Sequence, residues 1–176
     1  VAMSQSQIAP DAASRHHVQP QHPDLALAIT TVSRSRVQEC ETARRIAAET
    51  GYPYLPRSNS ALAQIAAQAG LDGLLVVERQ GLALWINDQS LRYHPNMAKL
   101  RVLALEQQKN DVLIDALQLS PGDRVLDCTC GLGADAIVAS YAVGPTGRVC
   151  ALESSRPLAL LVTRGMASFA AAGAGG

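Results

Sequence analysis

Apolar and polar positions along this chain fall into short, separable patterns. Leu25 to Val32 (LALAITTV) is a compact apolar and β-branched run, which predicts a strand. Ser35 with Gln38 three residues on reads as a capping box. Val37, Cys40, Ala43 and Ala47 then recur at helical spacing until Gly51 supplies a stop, so a strand-then-helix unit is expected. Tyr52 to Pro56 reads as a second short strand, and Ser60 can cap a helix that sets Leu62, Ile65, Ala66 and Ala69 on one face before Gly70. Leu74 to Glu78, Leu82 to Ile86 and Leu91 to Tyr93, separated by turns at Gln80-Gly81 and Asn87-Asp88, predict an antiparallel meander.

From Asn96 the period becomes helical, with Met97, Leu100 and Leu103 in register. Val112, Leu113, Ala116 and Leu117 resume after the polar stretch Gln107 to Asn110. Pro121-Gly122-Asp123 then turns the chain into Arg124 to Asp127, and the pattern changes from meander to βαβ. The expected class is α/β: a small N-terminal mixed α/β module over residues 25–93, then the first part of a Rossmann-like sheet with leading helices over 94–166. Residues 1–24 and 167–176 read as disordered tails, being poor in large apolar groups.

Charge narrows the picture only by exclusion. Lysine plus arginine equal aspartate plus glutamate at 15 each, so no net basic field advertises a polyanionic partner. The apolar runs fall well short of the roughly 20 residues that span a bilayer, and residues 1–24 lack an apolar core behind positive charge, so no membrane partner and a cytoplasmic location are expected. Cys128-x-Cys130 has no second cysteine pair, which leaves no metal site. Cys40, Cys128, Cys130 and Cys150 read as small buried residues of a reduced protein, with a redox role for Cys130 the alternative.

The chemistry concentrates in Val125 to Asp135 (VLDCTCGLGAD), a strand entering a glycine turn and then a helix. Open α/β sheets bind ligands beyond the carboxyl ends of their strands, and Gly131 and Gly133 sit where the first such turn must be tight. Glu153 ends the next strand, where a carboxylate can accept hydrogen bonds from both ribose hydroxyls of an adenosyl cofactor. Gly131-x-Gly133-x-x-Ala136 also satisfies the dinucleotide fingerprint, so a nicotinamide-dependent oxidoreductase is the competing reading. Asp127 favours a cationic cofactor, because a pyrophosphate over this turn would be repelled while the ammonium and sulfonium of S-adenosylmethionine would not. Thr129 is expected to order the turn through its hydroxyl, and Asp135 either complements the helix N-terminus or touches the cofactor.

These residues, with Leu152-Glu153-Ser154-Ser155 and the apolar helix Leu158 to Val162, resemble the class I S-adenosylmethionine-dependent methyltransferases. The resemblance extends from about Leu25 to Met166, and is nearest to the small-subunit ribosomal RNA guanine-N2 methyltransferases and their bacterial relatives. Those proteins place a small α/β module before the Rossmann domain and threonine where most methyltransferases have the loop's first glycine. The resemblance implies S-adenosylmethionine as cofactor, bound by Asp127, Thr129, Gly131, Gly133, Asp135 and Glu153, and RNA, ribosomal above all, as substrate. It also implies that the acceptor site lies beyond the fourth of seven strands. These residues are therefore expected to be a truncated, N-terminal portion with no assigned catalytic residue, inactive alone and prone to associate through an incomplete sheet. His94 and Arg101 either serve a turn and helix cap with Asn96 or face a cofactor carboxylate or RNA phosphate.

Overall fold

The computed structural model describes residues 25–173. The tail read over residues 1–24 lies outside the described residues. Strands β1 (Leu27–Thr31), β2 (Gly73–Glu78), β3 (Gly81–Ile86) and β4 (Gln89–Arg92) form one sheet in that order. β1 and β2 run parallel, with Leu27 opposite Gly73 and Thr31 opposite Val77, while β2, β3 and β4 are the antiparallel meander that the turn residues predict. Asn87 and Asp88 both take positive φ, 49° and 60°, as the two-residue turn joining β3 to β4 requires.

Between β1 and β2 the chain forms α1 (Val37–Thr50) and α2 (Leu62–Ala69). Alternation along the strands sends Leu27, Ile29, Leu75, Val77, Leu82 and Leu84 to one face, against Ala43 and Ile46 of α1. Ala28, Leu74, Val76 and Ala83 go to the other, against Ala66 and its neighbours on α2. Full burial of a side chain such as Ile29 or Leu75 contributes about 1.5–3 kcal/mol, so this two-sided core holds most of the molecule's apolar driving force.

The remaining elements are α3 (Asn96–Glu106), α4 (Val112–Leu117), β5 (Arg124–Asp127), α5 (Ala134–Val143), β6 (Arg148–Ala151) and α6 (Arg156–Gly173). β5 and β6 pair in parallel across α5, the opening unit of a Rossmann-like sheet. α6 reaches beyond that pair: it lies against β3, and Leu161, 1 % exposed, completes the core on the α1 face of the larger sheet. No described helix is long and apolar enough to cross a membrane.

Several local expectations shift. The cap of α1 lies one residue downstream of Ser35-Gln38, where the Glu39 carboxylate accepts the Arg36 backbone N–H at 2.5 Å; the Ser35 hydroxyl is instead 3.1 Å from Thr31 Oγ1. Tyr52 to Pro56 makes only a single bridge, Ile29 to Tyr54, because prolines 53 and 56 remove the donors a ladder needs. On α3 the inward stripe is Ala98, Arg101, Val102 and Leu105, while Met97, Leu100 and Leu103 are exposed. Residues 167–173, read as the start of a disordered tail, continue α6, since the alanine run there has high helix propensity.

Candidate functional site

The glycine turn is built by the ends of β5 and β6 acting on each other. The Leu152 N–H donates to the Asp127 carbonyl and the Cys130 N–H to the Leu152 carbonyl, each at 2.8 Å, so the chain leaving β5 is stitched to the chain leaving β6. Gly133 N–H then donates to the Cys130 carbonyl at 2.7 Å, and the Gly133 carbonyl accepts from Ile137 as α5 begins. Gly131 and Gly133 have φ of +51° and +77°, left-handed values that favour glycine. A methyl group at Gly133 would collide with Met166 Cε of α6, whereas one at Gly131 would meet nothing nearer than the Thr129 carbonyl oxygen at 3.9 Å. Gly133 therefore serves packing, and the backbone at Gly131 is open to a ligand.

Two carboxylates frame the turn. Asp127 Oδ1 accepts the Thr129 N–H at 2.9 Å; the turn is ordered by this side chain acting on the threonine backbone rather than by a bond from the Thr129 hydroxyl. Asp127 Oδ2 is buried and has no hydrogen-bond partner. Glu153 bridges instead: Oε2 accepts the Gly131 N–H and Oε1 the Ser155 N–H, both at 2.9 Å. It thereby clamps the glycine turn to the start of α6, and each oxygen keeps a second lone pair for another donor.

Cys130 lies between these two groups. Burial pushes its thiol pKa up first, and the charges of Asp127 and Glu153 push it further. Tyr93, whose ring packs on Gly165 of α6, has a buried hydroxyl with no partner; burial, then the neighbouring Cys130, raises its pKa. The other cysteines depart from the burial expected of them: Cys128 and Cys150 are exposed, because no described element covers the face of β5 and β6 that also carries Leu126 and Leu152. Among the described residues no group of three metal-ligating side chains converges.

Asp135 is engaged by α3. Its Oδ1 accepts from Arg101 at 2.5 Å, and Arg101 makes a two-pronged bond to Asp111 at 2.7 and 2.8 Å. Asp111 also caps α4 through the Leu113 N–H, and Arg101 holds its carboxyl below the usual range. The Asp111 and Asp135 hydrogen bonds in turn raise the Arg101 pKa despite its desolvation. The triad locks α3, α4 and α5 together with the guanidinium charge already met by two carboxylates, and His94 is exposed. Nothing in the sequence announces pairs separated by 10 and 34 residues. A cavity of about 220 Å³ opens beside Asp127 and Asp135, walled by Val125, Leu113 and Ala136. That is below the roughly 300–1,000 Å³ of a complete small-molecule site.

Residues 104–171 match the family model of protein-L-isoaspartate(D-aspartate) O-methyltransferase. The uncharacterized protein YpiP of Bacillus subtilis (strain 168) is 36 % identical over 142 residues, which are 80 % of this chain and 55 % of that protein. An uncharacterized 37.1 kDa protein in transposon Tn4556 of Streptomyces fradiae is 43 % identical over 47 residues, 27 % of this chain and 14 % of that protein. The crystal structure of TrmN from Thermus thermophilus aligns with a TM-score of 0.30 and 22 % identity, over 84 % of this chain and 42 % of that one. The chain thus spans about half the length of YpiP and less of the others.

Proposed function

We propose that this chain belongs to the class I S-adenosylmethionine-dependent methyltransferases and binds S-adenosylmethionine at the β5–α5 turn, as part of an RNA base N-methyltransferase. The observation that carries the cofactor reading is Asp127 Oδ2, a buried carboxylate oxygen left without a donor at a strand end beside a glycine turn. A buried acceptor without a donor is costly; an ammonium donates to it and a sulfonium balances its charge, while a pyrophosphate does neither. The cofactor supplies a methyl group on a sulfonium, ready for direct displacement. Asp127 would balance its positive charge, the open backbone at Gly131 would let it approach, and Glu153 would add ribose hydroxyls to the N–H groups it already holds. Asp135 is assigned to the Arg101 triad in preference to the cofactor.

RNA as acceptor is supported by the loop threonine, Thr129, and the α/β module ahead of the turn, the two features of the resemblance to the ribosomal RNA group. Carboxyl O-methylation of a protein is the second reading, favoured by the reaction for which the matched family is named. Alignment of donor and acceptor contributes up to about 7–11 kcal/mol to such transfers, so turnover needs a site for the acceptor beside the one proposed for the donor. Calorimetry with S-adenosylmethionine and with NAD separates the cofactors. Asp127→Asn should weaken S-adenosylmethionine binding by about 1–3 kcal/mol, the scale of a hydrogen bond to a charged group. Unchanged or tighter binding of S-adenosylmethionine would remove Asp127 from the site, and preferential binding of NAD would replace the methyltransferase reading.

A further inference from the structure

We propose that the carboxyl end of the parallel β1–β2 pair is a second binding site, an arginine-lined groove for the phosphodiester backbone of single-stranded RNA. β1 and β2 end side by side at Thr31 and Glu78, and in open α/β sheets that end of a parallel pair is where ligands bind. Two cavities open there. One, of about 450 Å³, is walled by Gln38, Thr42 and Arg45 of α1 and by Arg79, over a floor of Ile46 and Leu82. The other, of about 400 Å³, is bounded by Val32, Arg34 and the same Arg79.

The charges at this end are unevenly spent. Glu78, which lines both cavities, is neutralised by Arg92 through two bonds of 2.7 and 2.8 Å, and Arg164 pairs with Glu49, while Glu39 in the larger cavity accepts the Arg36 backbone N–H and keeps its charge. Among the described residues Arg34, Arg45 and Arg79 have no carboxylate or hydrogen-bond partner, and all three are exposed. Three unneutralised guanidinium groups around two cavities that share Arg79 suit a chain of phosphates better than a single anion. Every cation of residues 25–93 is arginine, the side chain whose planar fork matches a phosphate. The choice of RNA rests on the acceptor class proposed for the methyltransferase; the groove itself does not.

The test is fluorescence anisotropy of a labelled single-stranded RNA oligomer across a salt series, with the full chain and its Arg34→Gln/Arg45→Gln/Arg79→Gln variant. Thermal melting checks that the variant is folded. Loss of three phosphate contacts at about 0.7 counterion each should flatten the salt slope by about 2 and weaken binding about tenfold or more at low salt. Arg124→Gln/Arg148→Gln, at the opposite end of the β5–β6 pair, should leave the slope nearly unchanged. The proposal is overturned if the unaltered chain binds no RNA, if the control pair weakens binding as much as the triple variant, or if polyglutamate competes as well as RNA. S-adenosylmethionine affinity, read separately by calorimetry, distinguishes the two sites. RNA binding that depends on the three arginines without cofactor binding would leave the groove standing and sink the methyltransferase reading alone.

Discussion

Every residue of β1 and all but the last of β2 are buried, whereas no residue of β5 or β6 is. The larger sheet has helices on both faces. The smaller one has α5 on one face, while Leu126, Cys128, Cys150 and Leu152 are exposed on the other. The glycine turn, with the chemistry that matters most, therefore sits on the less buried of the two sheets. Its geometry is held by local bonds: Glu153 to Gly131, Asp127 to Thr129, and Cys130 to Leu152. Such bonds contribute about 0.5–1.5 kcal/mol each between neutral groups and about 1.5–3 kcal/mol to a charged acceptor, enough to fix a turn and too little to fold a domain. The stabilising term comes through α6, which follows β6 in sequence and buries Leu161 in the core of the other sheet.

The sharpest way to break this comparison is a pair of truncations. Leu161→Ala, at 1 % exposure, should cost about 2–5 kcal/mol, because it leaves a cavity in a core that cannot collapse around it. Leu126→Ala, at 60 % exposure, should stay within about 0.5 kcal/mol of the unaltered chain. Urea unfolding measures both. If Leu126→Ala costs as much as Leu161→Ala, the open face of β5 and β6 is covered in solution, and a dependence of the midpoint on protein concentration would identify another copy of the chain as the cover.

What sequence patterns disclosed, and what they concealed, divides along the same line. The apolar strand runs, the Asn87-Asp88 turn and the glycine turn are local signals, and the elements they imply are present except at Tyr52 to Pro56, which makes one bridge and no strand. α3 misled because apolar residues surround it: Met97, Leu100 and Leu103 make as good a helical stripe as the buried one, and only the partner α5 decides between them. Leu161 was legible as part of an apolar helix but not as a member of a core begun at Leu27, 134 positions earlier, because that pairing is a property of chain topology. At the site, Asp127, Thr129, Gly131, Gly133 and Glu153 come together as the spacing suggests, and the proposed cofactor contact of Asp127 is what Asp127→Asn probes. Asp135 was the ambiguous member, since a first-turn carboxylate has the same pattern whether it faces a ligand or an arginine from another helix.

That arginine gives the next-largest effect. Asp111 is 8 % exposed, and Arg101→Met would leave its carboxylate without its main partner. Loss of hydrogen bonds to a charged group predicts a cost of about 1.5–3 kcal/mol, toward the lower end because the Arg101 side chain is 26 % exposed. The pH dependence fixes the cause. The folded-state pKa of Asp111 is lowered, so its contribution is fully present above the unfolded value near about 3.9 and is lost as pH falls through the folded one. The difference in stability between the unaltered chain and Arg101→Met should therefore shrink on acidification. A difference that persists unchanged at acid pH would assign the loss to packing of the arginine stem.

The smallest effect tests the environment of the turn itself. The thiolate is the form that reacts with an alkylating agent, and Cys130 is half-buried with its pKa raised, while Cys128 and Cys150 are exposed. Mass spectrometry of a timed iodoacetamide reaction should find Cys128 and Cys150 modified first and Cys130 several-fold more slowly, against a redox role for Cys130. The cause can be apportioned by changing one charge. Burial is the leading reason for the raised thiol pKa and Asp127 the second, so Asp127→Asn should speed the labelling of Cys130 modestly without bringing it level with Cys128. Labelling of Cys130 ahead of the other two would mean that the turn opens in solution. The less buried sheet would then lack the fixed geometry that its bonds to Glu153 and Asp127 imply, and the cofactor would have to order the turn as it binds.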